Sequence, residues 1–405
     1  MKRILFLAPH CLPINSPEAI CNAKLLKELS KAGYIIDVIS KRSFSTYVPD
    51  SLDNSFSKNL NSLKVICVSN KISLRTILEH ICVFIKTGYV YKGAHWAYHA
   101  IQYAEKNLMR YHYDWIMSRS APSELAALYL SQKYRIKWIA NWNDPYPMKR
   151  FPFPYGGGVN AKLSYIRQTL LNSIAQKADI HTFPCIRLRN YMLKYMPNVS
   201  FDKTKIIPHI CINDLFTIPN RLDMKELLLV HSGNVSYPRN PEPFLKGVRE
   251  FLDLEKDALL KIYFIGKLDL DFHTKVIKYR LEEIIKIISP MPYIDNLKFI
   301  SQCDVALLIE ANCEEGIFLP TKVGDYMQCK KDIFAISPSI GTLSDLHHNK
   351  AIKYFANCND DKAICLELQK IYANRELYQL RHCVGGICAE FTAASIINSY
   401  KELLG

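Results

Sequence analysis

The sequence predicts an α/β protein made of two doubly wound domains, each a parallel sheet with helices on both faces. Short apolar runs alternate with helical stretches along the whole chain, which is the pattern of parallel strands joined by helical crossovers. The 405 residues exceed one ordinary core and suit two domains of roughly 150–200 residues. With 49% apolar and 22% charged residues, the composition excludes a disordered or collagen-like chain.

The apolar runs predict thirteen strands, seven in the first half of the chain and six in the second. Those of the first half are residues 2–8, 34–40, 63–69, 114–118, 136–141, 178–183 and 204–209. Those of the second half are residues 226–233, 259–266, 285–289, 304–310, 332–337 and 351–355. The halves meet at a predicted linker near 210–226. We therefore predict domains at 1–212 and 213–385, followed by a helical segment, 386–405, that crosses back to the first domain.

The N-terminal segment imitates a signal peptide but is predicted to be the first buried strand, because Pro9, His10 and Pro13 interrupt it and no cleavage site follows. A helix is predicted at 19–31, where apolar residues recur at helical spacing before Gly33.

No apolar run reaches the roughly 20 residues that a membrane-spanning helix needs. Thirteen cysteines without a Cys-x-x-Cys pair fit a reducing cytoplasm better than a disulfide framework or a zinc site.

Positive charge is concentrated in the first half of the chain. Residues 1–212 contain 29 Lys and Arg against 12 Asp and Glu, a balance of +17, whereas the remainder contains 23 basic and 26 acidic residues, a balance of −3. This asymmetry indicates an anionic partner for the first half: a membrane surface, a phosphorylated lipid or a nucleic acid. Nucleic acid is the least favoured, because no helix-turn-helix, finger or RNA-binding aromatic motif is evident.

Residues 71–113 mix basic and aromatic side chains, a composition that suits the interface of an anionic membrane. The alternative is that the aliphatic residues of this segment pack on the core while its bases are solvated. His95 and His99 lie one helical turn apart, the spacing of a two-histidine metal site. No third ligand is evident, so a surface pair or a pair on the substrate-binding side is favoured and no metal site is predicted.

The turn Ser232-Gly233-Asn234-Val235 follows a buried strand and precedes a helix predicted to start near Pro241. Glycine allows the backbone to approach a phosphate, and exposed amides at a helix start favour an anion. The alternative is an ordinary tight turn between a strand and a helix. The position of the turn favours a phosphate site.

A second unusual connection is IANWNDPYPMKRFPFPYGGG, residues 139–158. A predicted strand ends there in Asn143 and Asp144, and prolines, aromatics, Lys149, Arg150 and three glycines follow. Such a loop suits a mobile ligand-binding element. We expect the Asp144 carboxylate to contact hydroxyl groups of a bound ligand and to help deprotonate one of them; its alternative role is an Asx turn before Pro145.

Four segments together resemble the retaining nucleotide-sugar glycosyltransferases of family four, which have the GT-B fold. They are KAGYIIDVIS (31–40), KIIPHICINDLF (205–216), LLVHSGNVSYPRNP (228–241) and EEGIFLPTKVGDYMQCKKDIFAIS (314–337). They span nearly the whole chain in the order that the family shows. The resemblance implies two Rossmann-like domains facing across a cleft, with the acceptor on the first domain and the nucleotide sugar on the second.

The resemblance also implies roles for residues of the second domain. The family has an Arg after the glycine and a Lys six residues later, where this chain has Asn234 and Asn240; Arg239 is the expected substitute, although it could equally be a solvated loop residue. The donor segment aligns Pro320, Thr321, Lys322 and Asp325. Asp325 is expected to hold the ribose and Lys322 to neutralise the diphosphate, while Thr321 is expected to cap a helix. Glu314 or Glu315 is expected to face the transferred sugar, unless both are solvated.

In the first domain, Asn15 and Ser16 stand where the family has two glycines near the donor diphosphate. Ser16, followed by Pro17 and Glu18, is equally typical of a helix N-cap. Asn15, Ser16, Asn143, Lys149 and Arg150 are therefore predicted as acceptor-side or N-terminal loop contacts.

The function implied is transfer of a sugar, with retention and without a metal, from a nucleotide sugar to a lipid-linked saccharide or another glycan precursor. The enzyme would be peripheral on the inner face of the plasma membrane. The leaving diphosphate would help take the acceptor proton, with Asp144 and Glu315 as the candidate catalytic side chains. Alternatives are a non-hydrolysing nucleotide-sugar epimerase of the same fold, a basic binding protein and an inactive scaffold.

Overall fold

The computed structural model describes residues 1–42, 52, 54–68, 73–222, 225–381 and 384–405. The chain forms two compact units. Unit 1 comprises Met1–Arg150, Val159–Ile210 and Ala393–Gly405, and unit 2 comprises Phe151–Gly158 and Cys211–Thr392. The predicted first domain, 1–212, included the short segment Phe151–Gly158, which the structure groups with unit 2.

Unit 1 is built on a seven-stranded parallel sheet. Its strands are β1 (Arg3–Leu7), β2 (Ile35–Lys41), β3 (Ser62–Ile66), β4 (Trp115–Arg119), β5 (Lys137–Asn141), β6 (Ile180–Phe183) and β7 (Thr204–Ile206). Its first six helices are α1 (Pro17–Lys31), α2 (Leu74–Thr87), α3 (Ala94–Leu108), α4 (Ser123–Tyr134), α5 (Tyr165–Lys177) and α6 (Ile186–Leu193). The strand order is β3-β2-β1-β4-β5-β6-β7, so the order reverses between β1 and β4.

Unit 2 repeats this arrangement on a six-stranded sheet. Its strands are β8 (Leu227–Ser232), β9 (Leu260–Ile265), β10 (Ile285–Ile288), β11 (Val305–Ile309), β12 (Asp332–Ser337) and β13 (Tyr354–Asn357). Its helices are α7 (Glu242–Leu254), α8 (Phe272–Lys278), α9 (Tyr293–Gln302), α10 (Thr321–Gln328), α11 (Thr342–His348), α12 (Asp361–Ala373) and α13 (Arg375–Leu380). The order β10-β9-β8-β11-β12-β13 reverses between β8 and β11.

Central strands are buried along their whole length, as apolar runs covered on both faces should be. Every residue of β4, β8 and β11 is buried. The last helix, α14 (Ala393–Leu404), belongs to unit 1. Its final carbonyl, on Leu404, accepts a hydrogen bond from Nε1 of Trp115 at 3.2 Å, which ties the chain end to β4.

The predicted fold class is confirmed: each unit is a doubly wound α/β sheet, and within the described residues each predicted strand has a counterpart. Boundaries differ by a few residues; β6, for example, begins at Ile180 rather than at residue 178. The predicted strand and segment ends at 69 and 71 lie outside the described residues. None of the described helices is long and apolar enough to cross a membrane.

Candidate functional site

The sheet of unit 2 brings two chain segments together at its point of strand-order reversal. β8 ends at Ser232 and is followed by Gly233, while the neighbouring strand β11 ends at Ile309 and is followed by Glu310. In doubly wound sheets, ligands bind outside the carboxyl ends of the strands at this reversal. The side chains gathered there, which we call the unit 2 cluster, are His231, Arg239, Glu310 and Lys322, next to Gly233.

Gly233 occupies a position that only glycine fits, because its backbone φ is positive and a side chain there would collide with Lys322. Its φ is +110°, and a Cβ at this position would lie 2.6 Å from Cε and 3.0 Å from Nζ of Lys322. Its amide donates to the carbonyl of Ile265 at 2.7 Å. The glycine therefore makes room for the Lys322 side chain, and its own N–H is already used inside the sheet.

Lys322 and His231 form the centre of the unit 2 cluster. Nζ of Lys322 lies 3.2 Å from Nε2 of His231, whose Nδ1 lies 3.0 Å from the carbonyl oxygen of Leu307. Because a carbonyl can only accept, Nδ1 carries the proton and Nε2 accepts from the ammonium. Burial, and then the Arg239 cation, lower the pKa of Lys322 to about 7. Burial and Lys322 hold the pKa of His231 well below its usual value, so His231 is neutral.

Arg239 and Glu310 form an ion pair beside Lys322. The guanidinium donates to both carboxylate oxygens at 3.2–3.4 Å, and both side chains are largely withdrawn from solvent. Tyr155 donates its hydroxyl to Oε2 of Glu310 at 3.3 Å. Burial and the Glu310 charge raise the pKa of Tyr155, so this hydroxyl remains a donor at neutral pH. Glu310 thus holds Arg239 in place while leaving the cluster with a net positive charge.

Asp325 lies one turn along α10 from Lys322. Oδ1 of Asp325 accepts the hydroxyl of Tyr293 at 2.6 Å, which fixes the orientation of the carboxylate. The next residue, Tyr326, is fully buried; its hydroxyl accepts from the amide of Ser232 at 3.0 Å and donates to the carbonyl of Leu307 at 3.1 Å. These bonds attach α10 to β8 and β11, so Asp325 and Lys322 project from a rigidly held helix.

The remaining predicted residues of unit 2 have varied surroundings. Asn234 is exposed, and its Oδ1 accepts the amide of Lys267 at 3.1 Å, which is a role in the turn itself. Glu314 is exposed and Glu315 is partly buried, in the loop between β11 and α10.

The prediction that Thr321 caps a helix is wrong. Pro320 is the N-cap of α10, with extended backbone, and Thr321 is the first helical residue; within the described chain no side chain caps this end. The reason is that the fixed φ of proline lets Pro320 make the turn into the helix, with Val323 N bonding its carbonyl at 3.0 Å.

Unit 1 contains a second polar site, at the carboxyl end of β5. A recess of about 100 Å³ is lined there by Glu18, Ser120, Ala121, Glu124, Asn141, Trp142, Asn143, Asp144, Pro145 and Tyr146. We call it the acidic recess, because it holds three carboxyl groups. Glu18 comes from α1, Glu124 from α4, and Asp144 from the loop after β5.

The three carboxyl groups differ in their environments. Asp144 remains open to solvent, yet crowding by protein atoms and the Glu18 charge raise its pKa to about 7. Burial, and then Glu18, raise the pKa of Glu124 to about 7. Burial also raises the pKa of Glu18, although Arg119 and hydrogen bonds from Ser120 and Asn143 oppose the shift. A carboxyl group that titrates near neutrality suits proton transfer at physiological pH.

Other predicted residues of unit 1 have partners inside the unit. Ser16 is the N-cap of α1, where its hydroxyl accepts the amide of Ala19 at 3.3 Å. Asn143 accepts from Nη2 of Arg119 at 3.3 Å and so belongs to the acidic recess. Asn15 is partly buried in the loop before α1.

Lys149 and Arg150 lie in the loop after the recess. Lys149 is exposed, with Nζ 3.5 Å from the carbonyl of Lys162. Arg150 packs over the ring of Tyr195 and bonds Gln168.

His95 and His99 do not face a common centre. His99 lies with Nε2 3.2 Å from Oε1 of Glu79, whereas the ring of His95 stacks on that of His80. Among the described residues no group of three His, Cys, Asp or Glu is arranged to hold a metal ion.

Sequence reasoning missed several of these residues. His231 and Glu310 had a visible signal, since each is a polar residue at the carboxyl end of an otherwise apolar run. Glu18 and Glu124 had none, because each reads as an ordinary acidic residue in the first turn of a helix. Only the folded sheet brings them beside Asp144.

The two doubly wound units place this chain in the GT-B fold class. Over 100% of its length it is similar to Anabaena HepE, solved in complex with UDP and glucose, with a TM-score of 0.65, 13% identity and 99% of that chain covered. A glycosyltransferase from Rickettsia africae matches with a TM-score of 0.63 at 13% identity, again over 100% of this chain and 97% of the other.

A UDP-N-acetylglucosamine 2-epimerase also matches over 100% of this chain and 96% of its own, with a TM-score of 0.56 and 12% identity. No family model matches the sequence, and no curated protein matches it. At such low identity these likenesses establish the fold, and the function must be argued from the site.

Proposed function

We propose that this protein is a nucleotide-sugar-dependent glycosyltransferase whose donor binds in unit 2. The observation that carries the proposal is the position of two cationic side chains, Lys322 and Arg239, beside the bare Cα of Gly233 at the carboxyl ends of β8 and β11. A diphosphate needs positive charge, and the unit 2 cluster supplies it at the strand ends where doubly wound sheets bind ligands. The structural similarity to HepE in complex with UDP and glucose supports the same reading.

Each residue of the cluster has a distinct role in this proposal. Lys322 and Arg239 neutralise the diphosphate, and Asp325, held by Tyr293, accepts hydrogen bonds from the ribose hydroxyls. Glu315 faces the transferred sugar from the loop before α10. As the glycosidic bond breaks, negative charge grows on the leaving diphosphate, and two preorganised cations in a largely desolvated site stabilise it more than they would in water.

Retention and independence of metal follow from the resemblance to glycosyltransferase family four and belong to this proposal. The attacking acceptor hydroxyl then approaches the face that the diphosphate leaves, and the diphosphate takes part of the hydroxyl proton. We assign the acceptor to unit 1, where Asp144 has a pKa of about 7 and can accept the proton or orient the hydroxyl. The acceptor class that we propose is a lipid-linked saccharide or a similar glycan precursor.

A lipid-linked acceptor requires access to a membrane, and α2 offers a surface for it. Six large apolar side chains on one stripe of this helix are between 48% and 76% exposed: Leu74, Ile77, Leu78, Ile81, Phe84 and Ile85. They lie in the half of the chain whose charge balance is +17. An apolar stripe that enters the lipid boundary, within a positively charged domain, suits a surface of anionic lipid.

The second candidate function is epimerisation of the nucleotide sugar itself, which the similarity to a UDP-N-acetylglucosamine 2-epimerase raises. The exposed stripe of α2 favours the transferase, because an enzyme acting on a soluble nucleotide sugar has no need of a membrane. The two reactions also differ in an observable way. Non-hydrolysing epimerisation breaks a C–H bond of the sugar and exchanges its hydrogen with solvent, whereas glycosyl transfer does not.

The test combines binding with product analysis on the full chain. Calorimetry should show that the protein binds a nucleoside diphosphate, and Lys322→Ala should weaken binding while Thr321→Ala, the adjacent control, should not. Incubation of common nucleotide sugars in D₂O should then yield free sugar and nucleoside diphosphate by slow hydrolysis, without deuterium in the sugar. Deuterium at a sugar carbon would establish the epimerase instead, and failure of the folded protein to bind any nucleoside diphosphate would refute both functions.

A further inference from the structure

The acidic recess of unit 1 has one feature that its own residues do not explain. Glu124 is only 2% exposed, and its Oε2 has no hydrogen-bond partner within the described part of the chain. A buried carboxylate oxygen without a partner is costly, since desolvation is not offset by a hydrogen bond. The volume of about 100 Å³ is well above the roughly 10–15 Å³ that a cavity needs to hold one water. The recess therefore has room for more than one water, and an unpartnered acceptor lies in its wall.

The charges around the recess limit what can occupy it. Three carboxyl groups, on Glu18, Glu124 and Asp144, line the space. Of the described cations, Arg119 acts on Glu18 and bonds Asn143, and Arg167 acts on Tyr146. When all are ionised, the net charge is negative. A ligand that bears a carboxylate or a phosphate is disfavoured here by like charge, whereas hydroxyl groups are attracted as donors.

The wall of the recess suits a sugar ring. Tyr146 lines it and is partly exposed, and the buried ring of Trp142 lies behind it, with the two ring centroids 6.1 Å apart. Carbohydrate has this same mixture of properties, with hydroxyl donors at its edge and apolar C–H faces. Small-molecule sites commonly combine aromatic walls with a few placed polar groups.

We propose that the acidic recess binds the terminal sugar of the acceptor and selects an uncharged sugar over a uronate or a phosphosugar, with Glu124 and Glu18 accepting hydrogen bonds from its hydroxyls. This inference rests on the transferase function proposed above. It adds a substrate class, a neutral saccharide end, and two specificity-determining residues that touch it.

The experiment uses the full chain and a panel of simple probes: the methyl glycosides of glucose, galactose and mannose, each paired with its uronate counterpart. Saturation-transfer NMR at pH 8, above the pKa of about 7 of Glu124 and Asp144, reports binding without any need for activity. At least one neutral glycoside should bind, and its uronate should bind at least about tenfold more weakly. Glu124→Gln and, separately, Glu18→Gln should reduce that ratio to below about threefold, because each removes one negative charge.

The matched control is Glu28→Gln. Glu28 lies on the same helix as Glu18 but outside the recess, where it pairs with Lys31 at 2.7 Å. In this variant the ratio of glycoside affinity to uronate affinity should equal that of the wild type. Calorimetric titration with UDP on every variant checks folding and tests the donor site separately. If no neutral glycoside binds, if the uronates bind equally well, or if both recess variants keep the wild-type ratio, the inference is wrong. If glycosides behave as expected but UDP does not bind, the recess stands and the transferase function fails.

Discussion

The ammonium of Lys322 lies 3.2 Å from Nε2 of His231, an imidazole that is completely buried and bonded through Nδ1 to Leu307. A neutral histidine thus accepts a hydrogen bond from a lysine whose charge is itself weakened by burial and by Arg239. The imidazole fixes the position of the lysine without neutralising it. Lys322 is therefore poised to gain a full charge when an anion arrives.

This arrangement predicts that nucleoside diphosphate binding weakens as pH rises. In the free protein the pKa of Lys322 is about 7, and a bound diphosphate raises it, so binding above pH 7 must take up a proton. We expect the dissociation constant of UDP to increase between pH 7.5 and 9.5, a range above the titration of the phosphate itself. Calorimetry in two buffers of different ionisation enthalpy should show the proton uptake directly. Lys322→Met should bind weakly and without this pH dependence; an unchanged slope in that variant would exclude Lys322 as its source.

The contact between Gly233 and Lys322 predicts the effect of adding a single methyl group. Gly233→Ala places a Cβ 2.6 Å from Cε of Lys322 at a φ of +110°, so it should displace the lysine and destabilise the protein by roughly 1–3 kcal/mol. UDP binding should be lost. The control is Gly33→Ala. Gly33 has a φ of +92°, and no atom lies within 4 Å of where its Cβ would be, so the substitution should lower the free energy of unfolding through backbone strain but leave UDP binding intact. Equal UDP affinity in the two variants would contradict the proposed site.

Asp325 predicts a change in donor affinity. If it holds the ribose, Asp325→Ala removes a charge-assisted hydrogen bond worth roughly 1.5–3 kcal/mol, and UDP binding should weaken by about ten- to a hundredfold. Tyr293→Phe should have a smaller effect in the same direction, because it only frees the carboxylate to rotate. Thr321→Ala, which removes no helix cap, is the stability control. Wild-type affinity in a folded Asp325→Ala protein would place the ribose elsewhere.

The exposed stripe of α2 predicts binding to anionic vesicles. Sedimentation with vesicles containing phosphatidylglycerol should retain the protein at low salt and release part of it at high salt, as exposed charges are screened. Leu78→Glu with Ile81→Glu should abolish retention, since two carboxylates would enter the lipid boundary. Leu270→Glu, on a fully exposed apolar residue of unit 2, should leave it unchanged. Equal retention by neutral vesicles would contradict the electrostatic part of the proposal.

Local sequence was sufficient for the elements and the fold class. Continuous apolar runs such as 305–309 predict buried parallel strands, because a strand covered on both faces admits few polar residues, and β11 is buried throughout. The glycine turn at Gly233 and the start of α7 after Pro241 were predicted for the same local reasons. The cap of α10 was predicted wrongly at Thr321, because the choice between Pro320 and Thr321 depends on how the chain enters this helix.

The membership of the candidate sites depended on the sheet. Strand order reverses between β8 and β11, and this brings Glu310 to Arg239, 71 positions away along the chain. In unit 1, Glu18 and Asp144 come from segments that are 126 positions apart along the chain. No spacing rule along the chain anticipates such pairs, since spacing constrains only neighbours within one helix or strand.

By itself, then, the sequence determined which segments are strands and helices, because burial and backbone propensity act within a few residues of each position. The tertiary structure alone decided which polar side chains meet. The carboxyl ends of parallel strands converge on one edge of a sheet whatever their order along the chain, and charges that are solvated and independent in an extended chain become neighbours in a desolvated site. The lowered pKa of Lys322 and the raised pKa of Glu124 arise only there.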